Sequence, residues 1–187
     1  AISEAYACGQ RDFGENYLQE AQEKIAALPM ADIVWHFIGP IQSNKTRAIA
    51  ENFCWAHTVD RLKIARRLSE QRPEGLPPLN ICLQVNIDDE ANKAGVTPEA
   101  LHELVNAVAT LPNLTLRGLM CIPHKDQSQN GSAFQRMRAL FDTLPTQIDL
   151  PQWDTLSMGM SGDLEAAIAN GSTLVRIGTD IFGPRKQ

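Results

Sequence analysis

Short apolar runs alternate with longer amphipathic stretches along most of this chain. The short runs are rich in β-branched and aromatic residues and are bounded by turn-forming residues, which is the pattern of buried strands. The predicted strands are RDFGEN (11–16), IVWHFIG (33–39), WAHTV (55–59), LNICLQVNI (79–87), LTLRGLMCI (114–122), TLSMGM (155–160) and TLVRIG (173–178). The stretches between them predict helices over 17–28, 44–52, 61–70, 97–110, 132–144 and 162–169, preceded by a helix that ends before Gly9.

Two of these helices carry clear start signals. Thr97 is followed by Pro98 and Glu99, the order expected for an N-cap, a first helical residue and a first-turn acid. Asp163 and Glu165 place negative charge in the first turn of a later helix, where the helix dipole favours it.

The alternation of strands and helices predicts an α/β fold, because strands joined by helices of this length pair in parallel through right-handed crossovers. We favour a TIM-type (β/α)8 barrel, which needs about eight strands. The chain begins in a predicted helix, so we expect the first strand to be missing and residues 1–187 to form a single, partial barrel domain. A doubly wound open sheet is the alternative, but no glycine-rich GxGxxG turn follows the first predicted strand.

Composition narrows the classes of function. With 187 residues, of which 43% are hydrophobic, the chain can bury one sizeable core. A net charge of -5 argues against nucleic-acid or anionic-membrane partners, which need clustered Lys and Arg. The sequence has no apolar run long enough to span a bilayer, and we expect a cytoplasmic protein. Four widely spaced cysteines without a CxxC motif predict buried reduced thiols, with no metal site.

Two glycine-containing loops follow the last two predicted strands. In a barrel the site lies at the carboxyl ends of the strands, and these two loops often hold a phosphate. Ser161 and Gly162 follow one strand, and Gly178 and Thr179 follow the other. We predict that both loops bind one phosphate and that Arg176 points toward the group that carries it. The alternative is a pair of ordinary helix caps with a salt bridge at the barrel end.

Polar residues also stand near the ends of other strands, among them Asn16, His36 and His57. A single histidine in such a strand is more often a hydrogen-bonded core residue than an acid–base group. The sequence contains no Ser/His/Asp arrangement and no HExxH motif, so it predicts no catalytic residue.

Several segments together resemble the pyridoxal phosphate homeostasis protein family, also called the YggS/PROSC family. The resemblance covers the chain almost from end to end. It rests on FGENYLQE, WHFIGPIQSNK, HTVDR, QVNIDDEANKAG, RGLMCIP and LSMGMSGDLEAAIANGSTLVRIGTDIFG. Cys121 stands where an alanine is common, a small departure. The resemblance implies a barrel similar to the N-terminal domain of bacterial alanine racemases.

The family holds pyridoxal 5'-phosphate (PLP) covalently through a lysine in a segment of the type AVSK, which this sequence does not contain. The resemblance implies that Ser161, Gly178 and Thr179 bind the phosphate and that Arg176 faces the pyridine nitrogen. It further implies that four residues line the surroundings of the ring. These are Asn16, His36, Ile38 and Met120.

An arginine at the pyridine nitrogen keeps that nitrogen unprotonated, so the ring is a poorer electron sink than one paired with a carboxylate. The resemblance therefore implies a monomeric, non-catalytic protein of PLP homeostasis that buffers the cofactor or delivers it to PLP-dependent apo-enzymes. Two alternatives stay open: a racemase-like PLP enzyme, and a phosphate-binding barrel with another ligand. A racemase needs a base opposite the ring, and Tyr6 and Tyr17 lie in predicted helices.

Overall fold

A computed structural model of the chain describes residues 1–90, 93–126 and 131–183. The strands are β1 (Asp12–Glu15), β2 (Val34–Phe37), β3 (Trp55–Val59), β4 (Leu79–Gln84), β5 (Leu114–Met120), β6 (Thr155–Met160) and β7 (Leu174–Arg176). The α-helices are α1 (Ile2–Ala7), α2 (Leu18–Ala27), α3 (Thr46–Asn52), α4 (Leu62–Gln71), α5 (Pro98–Ala109), α6 (Ser132–Thr143), α7 (Leu164–Ala169) and α8 (Thr179–Phe182). Every predicted strand and helix is therefore present.

The boundaries differ from the predictions by a few residues. Within the described residues, α8 and the short 3-10 helix Leu144–Thr146 were not predicted as helices of their own. α8 has four residues, too few for a helical period to appear in the sequence. The Thr97 hydroxyl accepts a hydrogen bond from the Ala100 backbone N–H at 3.4 Å, which confirms the predicted N-cap of α5.

The strands form one parallel sheet whose spatial order is the order of the sequence, β1 to β7. A doubly wound sheet reverses its strand order at a switch point, so the sequential order excludes that alternative. α2 contacts α3, α3 contacts α4 and α4 contacts α5, so the helices form an outer layer around the curved sheet. This is the architecture of a (β/α) barrel, with β1 and β7 as the edge strands.

Both faces of the strands are buried, as expected for a parallel sheet. In β4, Leu79, Ile81 and Leu83 belong to the main hydrophobic core, which also includes residues of the helices. Cys82 and Met120 are fully buried outside that core. One face of each strand therefore packs against the helices, while the other lines the interior of the barrel.

At the amino ends of the strands the interior is closed by paired side chains, which we name the amino-end cluster: Asp12, His36, Trp55, Arg117 and Asp154. The Arg117 Nε donates to Asp154 at 2.9 Å, and its Nη1 donates to the Asn80 side-chain oxygen at 2.9 Å. The Arg117 guanidinium also lies 4.8 Å from the centre of the Trp55 ring. These contacts pair the Arg117 guanidinium with partners inside the protein.

The cysteine prediction is half correct. Cys82 and Cys121 are buried free thiols, and burial raises the pKa of each to about 12. Cys8 and Cys54 are exposed instead, because Cys8 follows α1 and Cys54 lies in the turn between α3 and β3. Within the described ranges, no group of three or more His, Cys, Asp or Glu side chains could hold a metal ion. In the same part of the chain, no helix is long and apolar enough to cross a membrane.

Candidate functional site

Two loops meet at the carboxyl ends of β6 and β7. Met160 and Arg176 are paired in the register of these strands, so Ser161 and Gly178 follow on neighbouring strands. The Ser161 hydroxyl accepts a hydrogen bond from the Asp180 backbone N–H at 3.4 Å. The Asp163 carboxylate holds the first loop by accepting from the Met160 backbone N–H at 2.7 Å. The structure thus brings together the two loops that were predicted to share one ligand.

The second loop has room beside Gly178 among the described residues. A Cβ placed on Gly178 would meet no other heavy atom of the described residues within 4 Å. Gly178 and Thr179 are both exposed, and Thr179 begins α8. The backbone N–H groups of Asp180, Ile181 and Phe182 donate to protein oxygens. The donors that we consider for a ligand at this exposed loop are therefore the backbone N–H and the hydroxyl of Thr179.

Arg176 ends β7 and extends into the barrel interior. Its Nη1 donates to the Ser157 hydroxyl at 2.8 Å, and its Nη2 donates to the Cys121 backbone carbonyl at 3.0 Å. Burial lowers the pKa of the Arg176 guanidinium. An arginine has five N–H donors, so these two bonds fix the guanidinium and leave further donors for a ligand.

Behind Arg176, hydrogen bonds continue through the interior from β6 to β1. The Ser157 hydroxyl lies 2.9 Å from the His57 Nδ1, and the His57 Nε2 lies 2.9 Å from the His36 Nδ1. The His36 Nε2 then lies 3.0 Å from the Asp12 carboxylate. This series connects the carboxyl end of β7 to the amino end of β1.

His36 lies apart from the two loops. Its ring stacks on Trp55, the first residue of β3, with the ring centres 5.3 Å apart. Both of its ring nitrogens have protein partners, His57 and Asp12. The structure therefore places His36 in the amino-end cluster, away from Ser161, and its predicted place beside a bound ring stays a prediction.

The remaining predicted site residues lie near the carboxyl ends of other strands. Met120 is fully buried at the end of β5 and pairs in register with Ser157. Ile38 and Asn16 follow β2 and β1, and both are partly buried. A Cβ on Gly39 would lie 1.9 Å from the Asn16 backbone oxygen, so these two loops touch closely.

Burial controls the charge of the two interior histidines. Burial lowers the pKa of His57 well below 6.5, and the nearby His36 and Arg176 act in the same direction. Burial also lowers the pKa of His36, opposed by the hydrogen bond and charge of Asp12. Both imidazoles are therefore neutral at pH 7.

Sequence reasoning missed Ser157 and Asp12. Each lies in a predicted strand, and the strand alternation places Ser157 on the face opposite Leu156 and Met158, which belong to the main core. That alternation is the signal that could have identified Ser157 as an interior residue. The pairing of Ser157 with His57, 100 residues earlier, depends on the closure of the barrel.

The model of the family described as "Alanine racemase, N-terminal domain" matches residues 1–186. The chain belongs to this family. It is 61% identical over 187 residues to the pyridoxal phosphate homeostasis protein of Pseudomonas aeruginosa, covering 99% of this chain and 79% of that protein. The identity to the Escherichia coli K12 protein of the same name is 54% over 190 residues, covering 99% of this chain and 80% of that relative. These relatives confirm the resemblance to the pyridoxal phosphate homeostasis protein family.

A solved structure shows the same fold. PipY of Synechococcus elongatus PCC7942 with PLP bound superposes with a TM-score of 0.87 at 38% identity, over 97% of this chain and 86% of that one. The predicted barrel similar to the alanine racemase N-terminal domain is thereby confirmed. The relatives are named as homeostasis proteins, and their names state no enzymatic activity.

Proposed function

We propose that this chain binds PLP at the carboxyl ends of its strands and serves PLP homeostasis without catalysing a reaction. The observation that carries the proposal is the guanidinium of Arg176, fixed beside two loops that are joined through Ser161. The Pseudomonas relative named as a PLP homeostasis protein and the PLP-bound PipY structure support the same ligand.

The donors present fit the phosphate of PLP. Ser161 and Thr179 carry hydroxyl groups, and Gly178 lets the backbone approach an anion without a side chain in the way. Hydrogen bonds to a charged partner are stronger than those between neutral groups. These loops would therefore hold the phosphate, and the partly buried Ile38 would supply apolar surface at the end of β2.

Arg176 would face the pyridine nitrogen of the ring. When bound, PLP supplies an aldehyde that condenses with amines and a ring that withdraws electrons. A fixed guanidinium disfavours a second positive charge, so Arg176 keeps the ring nitrogen unprotonated. This arrangement supports storage of the cofactor over its use in catalysis. We therefore propose buffering of PLP, or delivery to PLP-dependent apo-enzymes, by a cytoplasmic monomer.

The racemase alternative needs an acid–base group opposite the ring. The Tyr6 hydroxyl donates to Asp32 at 2.5 Å on the exposed side of α1, so Tyr6 is engaged elsewhere. Tyr17 follows Asn16 directly and precedes α2. Tyr17 is therefore the tyrosine to substitute if the chain exchanges the α-proton of an amino acid.

Binding is tested by titrating the protein with PLP, with pyridoxal and with inorganic phosphate. Absorbance follows PLP and pyridoxal, and dialysis gives the free concentration of each ligand. We expect saturable binding of PLP, with pyridoxal weaker because it lacks the phosphate. Equal binding of PLP and pyridoxal would contradict the phosphate loops.

Catalysis is tested with L-alanine in heavy water in the presence of saturating PLP, following the α-proton by NMR. We expect essentially no exchange by the unmodified protein. Exchange at roughly 1–1000 turnovers per second, the range common for enzymes, would overturn the non-catalytic proposal and favour the racemase alternative.

A further inference from the structure

Five side chains from five strands form an unbroken hydrogen-bonded series through the barrel. It starts at Arg176 on β7 and passes Ser157 on β6, His57 on β3 and His36 on β2. It ends at Asp12 on β1, whose carboxylate is largely exposed. The series has a permanent cation at one end and a carboxylate at the other.

An ionised Asp12 together with two neutral imidazoles fixes the direction of every bond from Asp12 back to Ser157. Arg176 can only donate, so the Ser157 oxygen accepts from it. An ionised Asp12 can only accept, so the His36 Nε2 must carry a proton and donate it. A neutral His36 then accepts at Nδ1 from the His57 Nε2, and His57 accepts at Nδ1 from the Ser157 hydroxyl. All bonds run from Arg176 to Asp12, and each imidazole is neutral.

The surroundings favour this neutral state. His36 and His57 are both buried, and burial lowers the pKa of each. Among the described residues, the charged groups near the series are Asp12 beside His36, Arg176 near His57, Asp163 near Arg176, and Arg117 above the Trp55 ring on which His36 stacks. Arg117 is itself paired with Asp154. When both rings are neutral, the Asp12 carboxylate can accept from His36 only if His57 donates to His36 and Ser157 donates to His57.

We propose that Ser157, His57, His36 and Asp12 are positioning residues that hold the Arg176 guanidinium through a hydrogen-bond chain of one fixed polarity. Ser157 contacts Arg176 directly, and His57, His36 and Asp12 act on Arg176 through Ser157. The consequence for PLP rests on the proposed function, since it requires Arg176 to face the ring nitrogen. The direction of the hydrogen bonds in the series does not depend on the proposed function.

The polarity is tested without a ligand by the ¹⁵N chemical shifts of the histidine rings at pH 7.5. We expect His57 and His36 each to be protonated at Nε2 and unprotonated at Nδ1. Asp12→Asn removes the charged acceptor at an exposed position and leaves the core residues in place. We expect this variant to lower the pKa of His36. An Nδ1-protonated His57 in the wild type would overturn the proposal.

The positioning role is tested with two ligands, PLP and an analogue whose ring nitrogen is replaced by a C–H group. Ser157→Ala removes the bond to Arg176, and we expect roughly five- to tenfold weaker binding of PLP with little change for the analogue. Ser69→Ala is the matched control, because Ser69 is also buried but its hydroxyl donates to the Pro112 carbonyl outside the barrel interior.

The outcomes separate the two proposals. If the wild type binds neither ligand, the proposed function fails. The ¹⁵N chemical shifts of His57 and His36 still show whether the hydrogen bonds run from Arg176 to Asp12. If the wild type binds PLP and Ser157→Ala binds both ligands with unchanged affinity, the positioning role is overturned. If Ser157→Ala does not fold, Asp12→Asn takes its place in the binding comparison. We expect Asp12→Asn to weaken the binding of PLP more than that of the analogue, and an unchanged ratio would contradict the role.

Discussion

The two ends of the barrel interior are built in opposite ways. At the amino end, charged and aromatic side chains pair with one another, and Arg117 contacts Asp154, Asn80 and Trp55 at once. At the carboxyl end, Gly178 and Thr179 are exposed, and a Cβ on Gly178 would meet no heavy atom of the described residues within 4 Å. Satisfied polar groups stabilise a fold, whereas donors aimed outward are available to a ligand.

Glycine positions show the same contrast. Gly118, in β5, has a φ of +153°, and a Cβ there would lie 1.8 Å from the Thr155 backbone oxygen. Gly178 has a φ of -114°, and a Cβ there would meet open space among the described residues. The first glycine is required by the sheet, while the second leaves room for something that approaches the loop.

The largest expected effect is a difference in stability between substitutions of Gly118 and Gly178. We expect Gly118→Ala to lower the free energy of unfolding by about 3 kcal/mol or more, because the Cβ meets backbone and the φ is strained. We expect Gly178→Ala to change it by less than about 0.5 kcal/mol but to weaken PLP binding. Urea unfolding of both variants measures the difference. Equal destabilisation by Gly118→Ala and Gly178→Ala would contradict the different roles assigned to these two glycines.

The second effect concerns the hydroxyls at the carboxyl end. Hydrogen bonds to a charged partner contribute about 1.5–3 kcal/mol each, so Ser161→Ala/Thr179→Val should weaken PLP binding well over tenfold. The control is Ser3→Ala/Thr143→Val, which removes two hydroxyls from the exposed faces of α1 and α6. Dialysis with PLP measures both variants. Affinity equal to that of the wild type would place the phosphate elsewhere.

The third effect lies at the amino end. Arg117→Met removes the bonds to Asp154 and Asn80 and the contact with Trp55. We expect a loss of about 2 kcal/mol in the free energy of unfolding, reduced by the exposure of Asp154, with PLP affinity unchanged. Urea unfolding and PLP titration of the same preparation test both halves. A large loss of PLP affinity without a loss of stability would contradict a stabilising role for Arg117 and would favour a role in binding PLP.

The smallest effect is a dependence on pH. Because the folded pKa values of His36 and His57 are lowered from 6.5, the unfolded chain binds more protons than the folded one as the pH falls. Their contribution to stability is complete above about pH 7 and is lost as the pH decreases through 6.5 and below.

His57→Gln should reduce the decrease in stability between pH 7.5 and 5 by about 1 kcal/mol relative to the wild type. His102→Gln is the control, since His102 lies on the exposed face of α5. Urea unfolding at both pH values measures the effect. A pH dependence of His57→Gln equal to that of the wild type would contradict neutral, buried histidines.

Local patterns were sufficient to predict all seven strands and the helices between them. Segments such as LNICLQVNI and the Thr97-Pro98-Glu99 cap carry their signal in neighbouring residues, and these signals agree with the final fold. The short helix α8 carries no such signal, because four residues after a glycine cannot show a helical period.

The neighbourhood of the two candidate loops was predictable, while their role in binding stays a prediction. Ser161, Gly178 and Thr179 follow strand ends, so the rule that parallel strands present their carboxyl ends together predicted that these residues lie close to one another. The contacts of His36 with Trp55 and Asp12 were not predictable, and its place beside a bound ring also stays a prediction. A strand pattern gives the face of a residue and leaves open the direction in which its side chain leans along that face.

The sequence by itself determined the alternating elements, the buried strand faces and the residues at each strand end, because these follow from periodicity over a few neighbouring positions. Only the tertiary structure decided that Ser157 meets His57, and that Asp12 and Arg176 stand at opposite ends of one series of hydrogen bonds. Those contacts join residues up to 100 positions apart in the chain. They arise from the curvature and register of the whole sheet, which no local pattern encodes.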